Sequence, residues 1–159
     1  MTTETPNNEK TKYIRAESSR MSARLFSIGN LLAFLPGLFV APFILLSEPE
    51  RTAMILMFVA MIVPPILWFG FSIMVYIIAR HHPHEVVGYY TQQSAYRYYG
   101  MIGLIIPVGT FFGTDWELWI ITGGFVGLVL VPWTIWDLIQ IQKYNWQDIE
   151  VPLNETEGV

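Results

Sequence analysis

Between Arg51 and Arg80 lie 28 residues, Thr52 to Ala79, without one charged side chain. At 1.5 Å per residue, a helix of that length spans about 42 Å, more than a hydrocarbon core of about 30 Å requires. The apolar residues recur at a period of neither two nor 3.6; they fill the block, which is the pattern of a membrane span. The excess length calls for tilt, or for a kink at Pro64-Pro65.

Three further blocks follow the same rule. Leu25 to Ser47 is uncharged for 23 residues, Tyr98 to Thr114 for 17, and Leu118 to Trp136 for 19. The third is the shortest and contains Pro107, and a helix that starts earlier, at Pro83, makes it long enough. Glu48-Pro49-Glu50-Arg51 reads as a tight polar turn between the first two spans. The basic residues then orient the chain. Lys10, Lys12, Arg15, Arg20, Arg24, Arg80, Arg97 and Lys143 fall on one side and Arg51 alone on the other, so both termini are expected inside. Trp116, Trp119, Trp133 and Trp136 bracket the fourth span as interfacial anchors.

Charged residues make up 14% of the chain, against about a quarter in soluble domains, and mean hydropathy is +0.41. The absence of cysteine excludes disulfides, thiolate metal sites and cysteine nucleophiles. Residues 1–24 carry both signs of charge and lack the apolar run of a secretory signal, and Glu4, Glu9 and Glu17 do not suit an organellar transit peptide. They read as a disordered polar tail, residues 25–139 as the membrane domain, and 140–159 as an acidic tail. The expected fold is an all-α integral membrane bundle of four kinked transmembrane helices, with an interfacial helix before the third.

Every block contains proline, which removes a backbone hydrogen bond and bends a helix unless its neighbours compensate. Ala33/Gly37, Gly109/Gly113 and Gly123/Gly127 offer small-residue faces for close helix packing. The stretch from Arg80 to Tyr99 is rich in tyrosine and suits the membrane interface, where rings bury and hydroxyls stay wet.

Candidate chemistry is sparse. His81, His82 and His84 have only Glu85 as an obvious further ligand, so a solvated or headgroup-facing cluster is expected rather than a metal site. Arg80, Arg97 and these histidines suit lipid headgroups. No histidine lies inside a span to hold haem, and no Asp, Glu, Lys or Arg lies in a span core, which disfavours ion-coupled transport. Asn30 is the notable polar residue of the first span, and a hydrogen bond to a neighbouring helix is expected for it. Glu117 and Asp137 bound the fourth span at opposite ends and cannot form a catalytic carboxylate pair. The Asn154-Glu155-Thr156 sequon falls on the expected inner tail, where glycosylation does not occur.

Two regions carry a family likeness. Arg80 closes the second span and is followed by His84, Tyr90, Gln92 and Gln93 on the way into the third; Lys143-Tyr144 leaves the fourth span and leads to Ile149-Glu150-Val151-Pro152. With Leu35-Pro36 in the first span, this resembles the small four-helix Tic-twenty-like family, which includes the membrane core of the chloroplast inner-envelope import translocon and bacterial relatives. Tyr89 and Tyr90 depart from the arginine–aromatic–asparagine approach usual there, and Gln93, or Gln92, matches the family's glutamine. The likeness implies a non-enzymatic membrane component working with partners in a bacterial plasma or thylakoid membrane, or a plastid inner envelope.

The expected partners are the bilayer and other membrane subunits, with no nucleic acid and no cofactor. The candidate contact residues are Asn30, Arg80, His84, Tyr90, Gln92, Gln93 and Arg97. Two other roles fit the same sequence: an accessory subunit of a respiratory or photosynthetic complex, and an uncoupled small-molecule channel.

Overall fold

A computed structural model of the chain describes residues 11–47, 49–113 and 115–152. Four helices dominate: α1 (Ala16–Ser47), α2 (Arg51–Arg80), α3 (Glu85–Phe112) and α4 (Trp116–Lys143). Two short strands flank them, β1 (Thr11–Ile14) and β2 (Ile149–Pro152), paired antiparallel with Thr11 opposite Pro152 and Ile14 opposite Ile149. By length and composition, α1, α2 and α4 can each cross a membrane. Helix α3 has 28 residues, but Gln92, Gln93, Ser94 and Arg97 make its first half polar.

The core lies between α1 and α4. Helix α1 turns Ala33, Phe34, Gly37, Ala41 and Ile44 inward at spacings of three and four. Helix α4 meets them with glycine: a Cβ on Gly127 would stand 3.0 Å from the Leu38 backbone nitrogen, and one on Gly37 would stand 3.2 Å from the Gly123 carbonyl. Small residues thus let two backbones touch, as expected for Ala33/Gly37 and Gly123/Gly127. The Gly109/Gly113 pair does something else. Gly109 leaves room for the Trp119 indole, whose Nε1 donates to the Gly113 carbonyl at 3.2 Å and so closes the α3–α4 turn. Tyr98 of α3 is fully buried and packs edge-on against Phe26 and Phe34.

Several expectations need correction. The polar tail read over residues 1–24 is structured from Thr11, because residues 11–14 pair with β2 and α1 begins at Ala16; Met1 to Lys10 lie outside the described residues. The C-terminal tail is likewise shorter than 140–159, since α4 runs to Lys143 and β2 follows; residues 153–159, with the sequon, lie outside the described residues. The two strands add a β-ribbon to the helical bundle. No separate interfacial helix precedes the third apolar block: the tyrosine-rich segment and that block form one continuous α3, with His84 as its N-cap. The helices continue through Pro36, Pro42, Pro64, Pro65, Pro107 and Pro132. Glu48 and Thr114, in the expected first and third turns, lie outside the described residues.

Asp148 locks the ribbon to the bundle. Its Oδ1 accepts from the Ala16 backbone N–H at 2.6 Å, so a residue from the far end of the chain satisfies an orphan donor at the start of α1. Its Oδ2 accepts from the Tyr13 hydroxyl. The tyrosine hydrogen bond and the α1 amide hold the Asp148 carboxyl below its ordinary value, and the same hydrogen bond pushes the Tyr13 phenol up. A depressed carboxylate stabilises above its unfolded pKa, about 3.9, and loses that contribution as pH falls; a raised phenol stabilises below about 10 and loses it as pH rises. Spin labels at positions 12 and 151 should therefore report a short, narrow distance between about pH 5 and 9, broadening below about pH 3.5. Asp148→Asn should remove the acid-side change. A distance unaffected by acid would contradict the lock.

Candidate functional site

Asp137, one turn before the last turn of α4, is 5% exposed although its apolar block has just ended. Arg97, on α3, meets it: Nη1 donates to both carboxylate oxygens at 2.6 Å. The guanidinium lies over the Trp133 ring, 5.4 Å from its centre, which covers its outer face with an aromatic plane.

The pair is one end of a polar seam through the bundle. The Ser94 hydroxyl donates to Asp137 Oδ2 at 3.2 Å and lies 2.8 Å from the Ser27 hydroxyl of α1. Asn30 Nδ2 donates to the Ser94 carbonyl at 3.3 Å, and Trp68 Nε1 of α2 donates to Asn30 Oδ1 at 2.8 Å. One connected set of hydrogen bonds therefore ties all four helices together. Gly29 makes the last link possible, since a Cβ there would fall 2.1 Å from the Trp68 ring. A second tie joins α2 to α3, where the Tyr99 hydroxyl lies 3.0 Å from the Ser72 hydroxyl and Ser72 donates to the Phe69 carbonyl.

Depth follows from these contacts. Ser72 pairs with Tyr99, and Arg80 lies eight residues farther along α2, against Gly88. At 1.5 Å per residue, the seam sits about 12 Å deeper in the bundle than Arg80. The charges that seem to border apolar blocks in sequence thus lie well inside the end of the bundle. Buried charges are costly alone, but a carboxylate held by a guanidinium and a hydroxyl exchanges one set of partners for another.

The expected residues divide accordingly. Asn30 makes the interhelical hydrogen bond foreseen for it, and a second one besides. Arg97 is not a loop residue facing headgroups; it belongs to α3 and to the buried pair. Arg80 is exposed at the end of α2. His82 turns inward and accepts from the His84 backbone N–H at 3.1 Å, while burial lowers its pKa. The His84 ring packs 5.0 Å from Trp146, next to Tyr144. Among the described residues, no three metal-ligating side chains converge. Tyr90 and Gln93 are half-buried on α3, and Gln92 donates to the Tyr96 hydroxyl. Asp137, Ser27, Ser94 and Trp68 were not singled out by sequence. The available signal was that Arg97 and Asp137 are lone opposite charges at the same end of neighbouring blocks.

No family model matches the chain, and neither a curated protein nor a solved structure matches it.

Arg97→Leu or Asp137→Leu alone leaves an unpaired buried charge and should destabilise the bundle by about 3 kcal/mol. The double variant, apolar on both sides, should recover most of that loss. Denaturation of detergent-solubilised protein would check both, and additive losses in the double variant would refute the coupling.

Proposed function

We propose that the chain is a non-enzymatic four-span subunit of a larger membrane assembly, with helices bent at their prolines and both termini inside. One observation carries the reading: α2 is apolar where its neighbours are not. In the inner 12 Å or so of the bundle, α1 presents Glu17, Arg20 and Arg24, α3 presents Tyr89, Gln92, Gln93 and Tyr96, and α4 presents Gln140, Gln142 and Lys143. At the same level α2 exposes Ile73, Met74, Ile77 and Ile78, the last 71% exposed. A bilayer matches one face or the other at that depth, and mismatch costs fractions of a kcal/mol per Å. A partner's apolar span laid along α2 removes the conflict.

The ribbon supports the count of spans. Because β1 pairs with β2, the two ends of the described chain meet at one end of the bundle, and an even number of crossings follows. With α1, α2 and α4 each long and apolar enough to cross, α3 supplies the fourth. Its polar first half is accommodated by the seam. The basic residues place that end inside, and the likeness to the Tic-twenty-like family points to translocation complexes as the kind of assembly.

A photo-crosslinking residue at Met74 or Ile78 should trap a discrete protein adduct in native membranes, whereas one at Leu128 or Ile135 on α4 should not. Crosslinking to lipid alone from every position would refute the subunit reading.

A further inference from the structure

The outer half of the bundle contains a cleft of about 380 Å³ between α2 and α3, floored by α1 and α4. Phe34, Met61, Ile62, Pro65, Ile105 and Trp119 form most of its wall. Its volume falls in the range of small-molecule sites, which are mainly apolar with a few placed polar groups. Two such groups occur on one side of it. Thr122 lines the cleft, and among the described residues its hydroxyl makes no hydrogen bond, whereas Ser47 and Thr110 each donate to the carbonyl four residues back. The second is the Met61 carbonyl. Its helical donor would be the N–H of residue 65, which is proline and has none. The surrounding helix face carries Met61, Ile62, Pro65 and Ile66, all on the cleft wall. Met61 packs on Gly123, next to Thr122: a Cβ at Gly123 would meet the Met61 sulfur at 2.9 Å.

An unmatched carbonyl and an unmatched hydroxyl among hydrocarbon walls require a ligand that is almost wholly apolar yet can both donate and accept one hydrogen bond. An alkyl chain satisfies the walls and leaves both groups unpaired. A carboxylate offers no donor and would bring a charge into a cleft without a cation. A hydroxyl does both. We propose that the cleft binds an elongated hydrocarbon carrying one hydroxyl group, a long-chain alcohol, with the Met61 carbonyl accepting from the ligand and the Thr122 hydroxyl completing the pair.

The test uses the full chain in phosphatidylcholine nanodiscs with two photoreactive probes, a C16 alcohol and the matching alkane, each carrying a diazirine in the chain. The alcohol should label Met61, Ile62 or Ile105 saturably, and unlabelled hexadecanol should compete. Thr122→Val, which keeps the shape and loses the hydroxyl, should weaken alcohol labelling roughly five- to tenfold, the worth of one hydrogen bond, with alkane labelling unchanged. Thr122→Ser should behave as the native chain. Ile105→Trp, which fills the cleft from α3, should abolish labelling by both probes while the unfolding temperature stays within a few degrees of native. Equal labelling by alcohol and alkane, or indifference to Thr122→Val, would overturn the proposal and leave the cleft to bilayer hydrocarbon. Labelling spread over the outer surface of the helices, untouched by Ile105→Trp, would overturn it as well.

Discussion

The bundle depends on the pairing of Arg97 with Asp137. A helix that enters a membrane with an arginine halfway along it must find that charge a partner, because the hydrocarbon supplies none. Here α4 provides the carboxylate, α3 and α1 provide hydroxyls, and α2 closes the set through Trp68 and Asn30. The polar first half of α3 is thereby turned into an internal surface. Registers follow from it: moving any helix by one turn, about 5.4 Å, would break the connected bonds. Apolar contacts alone leave such sliding cheap in lipid, where hydrocarbon is everywhere.

Around this seam the helices play unequal parts. Glycine and alanine bring α1 and α4 into backbone contact, forming the tightest part of the structure. Helix α2 buries only Met61, Ser72 and Ala79, and its ties to the rest are the two hydrogen-bonded points at Trp68 and Ser72. A helix fixed at its inner half and free of such ties in its outer half can border a cleft without destabilising the core. Its exposed apolar side is the counterpart of that looseness. The same helix therefore carries both the proposed partner surface and one wall of the proposed ligand site.

Much of this was legible in the sequence, and the omissions have physical causes. Uncharged blocks located the helices because span length and hydrocarbon thickness share one scale. Small-residue spacing found the α1–α4 contact, and Asn30 was found because a lone amide in an apolar block must bond to something. The ribbon was invisible, since four-residue strands of mixed polarity leave no periodic trace and their partners lie about 140 residues apart. Arg97 and Asp137 were counted as flanking charges because a linear sequence reports the edge of each block but not the relative depth of four helices. That depth comes from Ser72 pairing with Tyr99, a contact between residues that look unremarkable in sequence. Gly109 and Gly113 fit a helix-packing pattern and instead seat a tryptophan, because spacing cannot distinguish a backbone neighbour from an indole.

The central claim is that α3, polar first half included, crosses the membrane beside the other three. The native chain has no cysteine, so single cysteines can be placed at will. The decisive measurement is labelling by a membrane-impermeant maleimide at Lys12, His81 and Trp146 against Arg51 and Asp115 in sealed, oriented vesicles. Lys12, His81 and Trp146 should react from one side, and Arg51 and Asp115 from the other. Asp115 reacting from the same side as His81 would mean that α3 does not cross, and the account would fail.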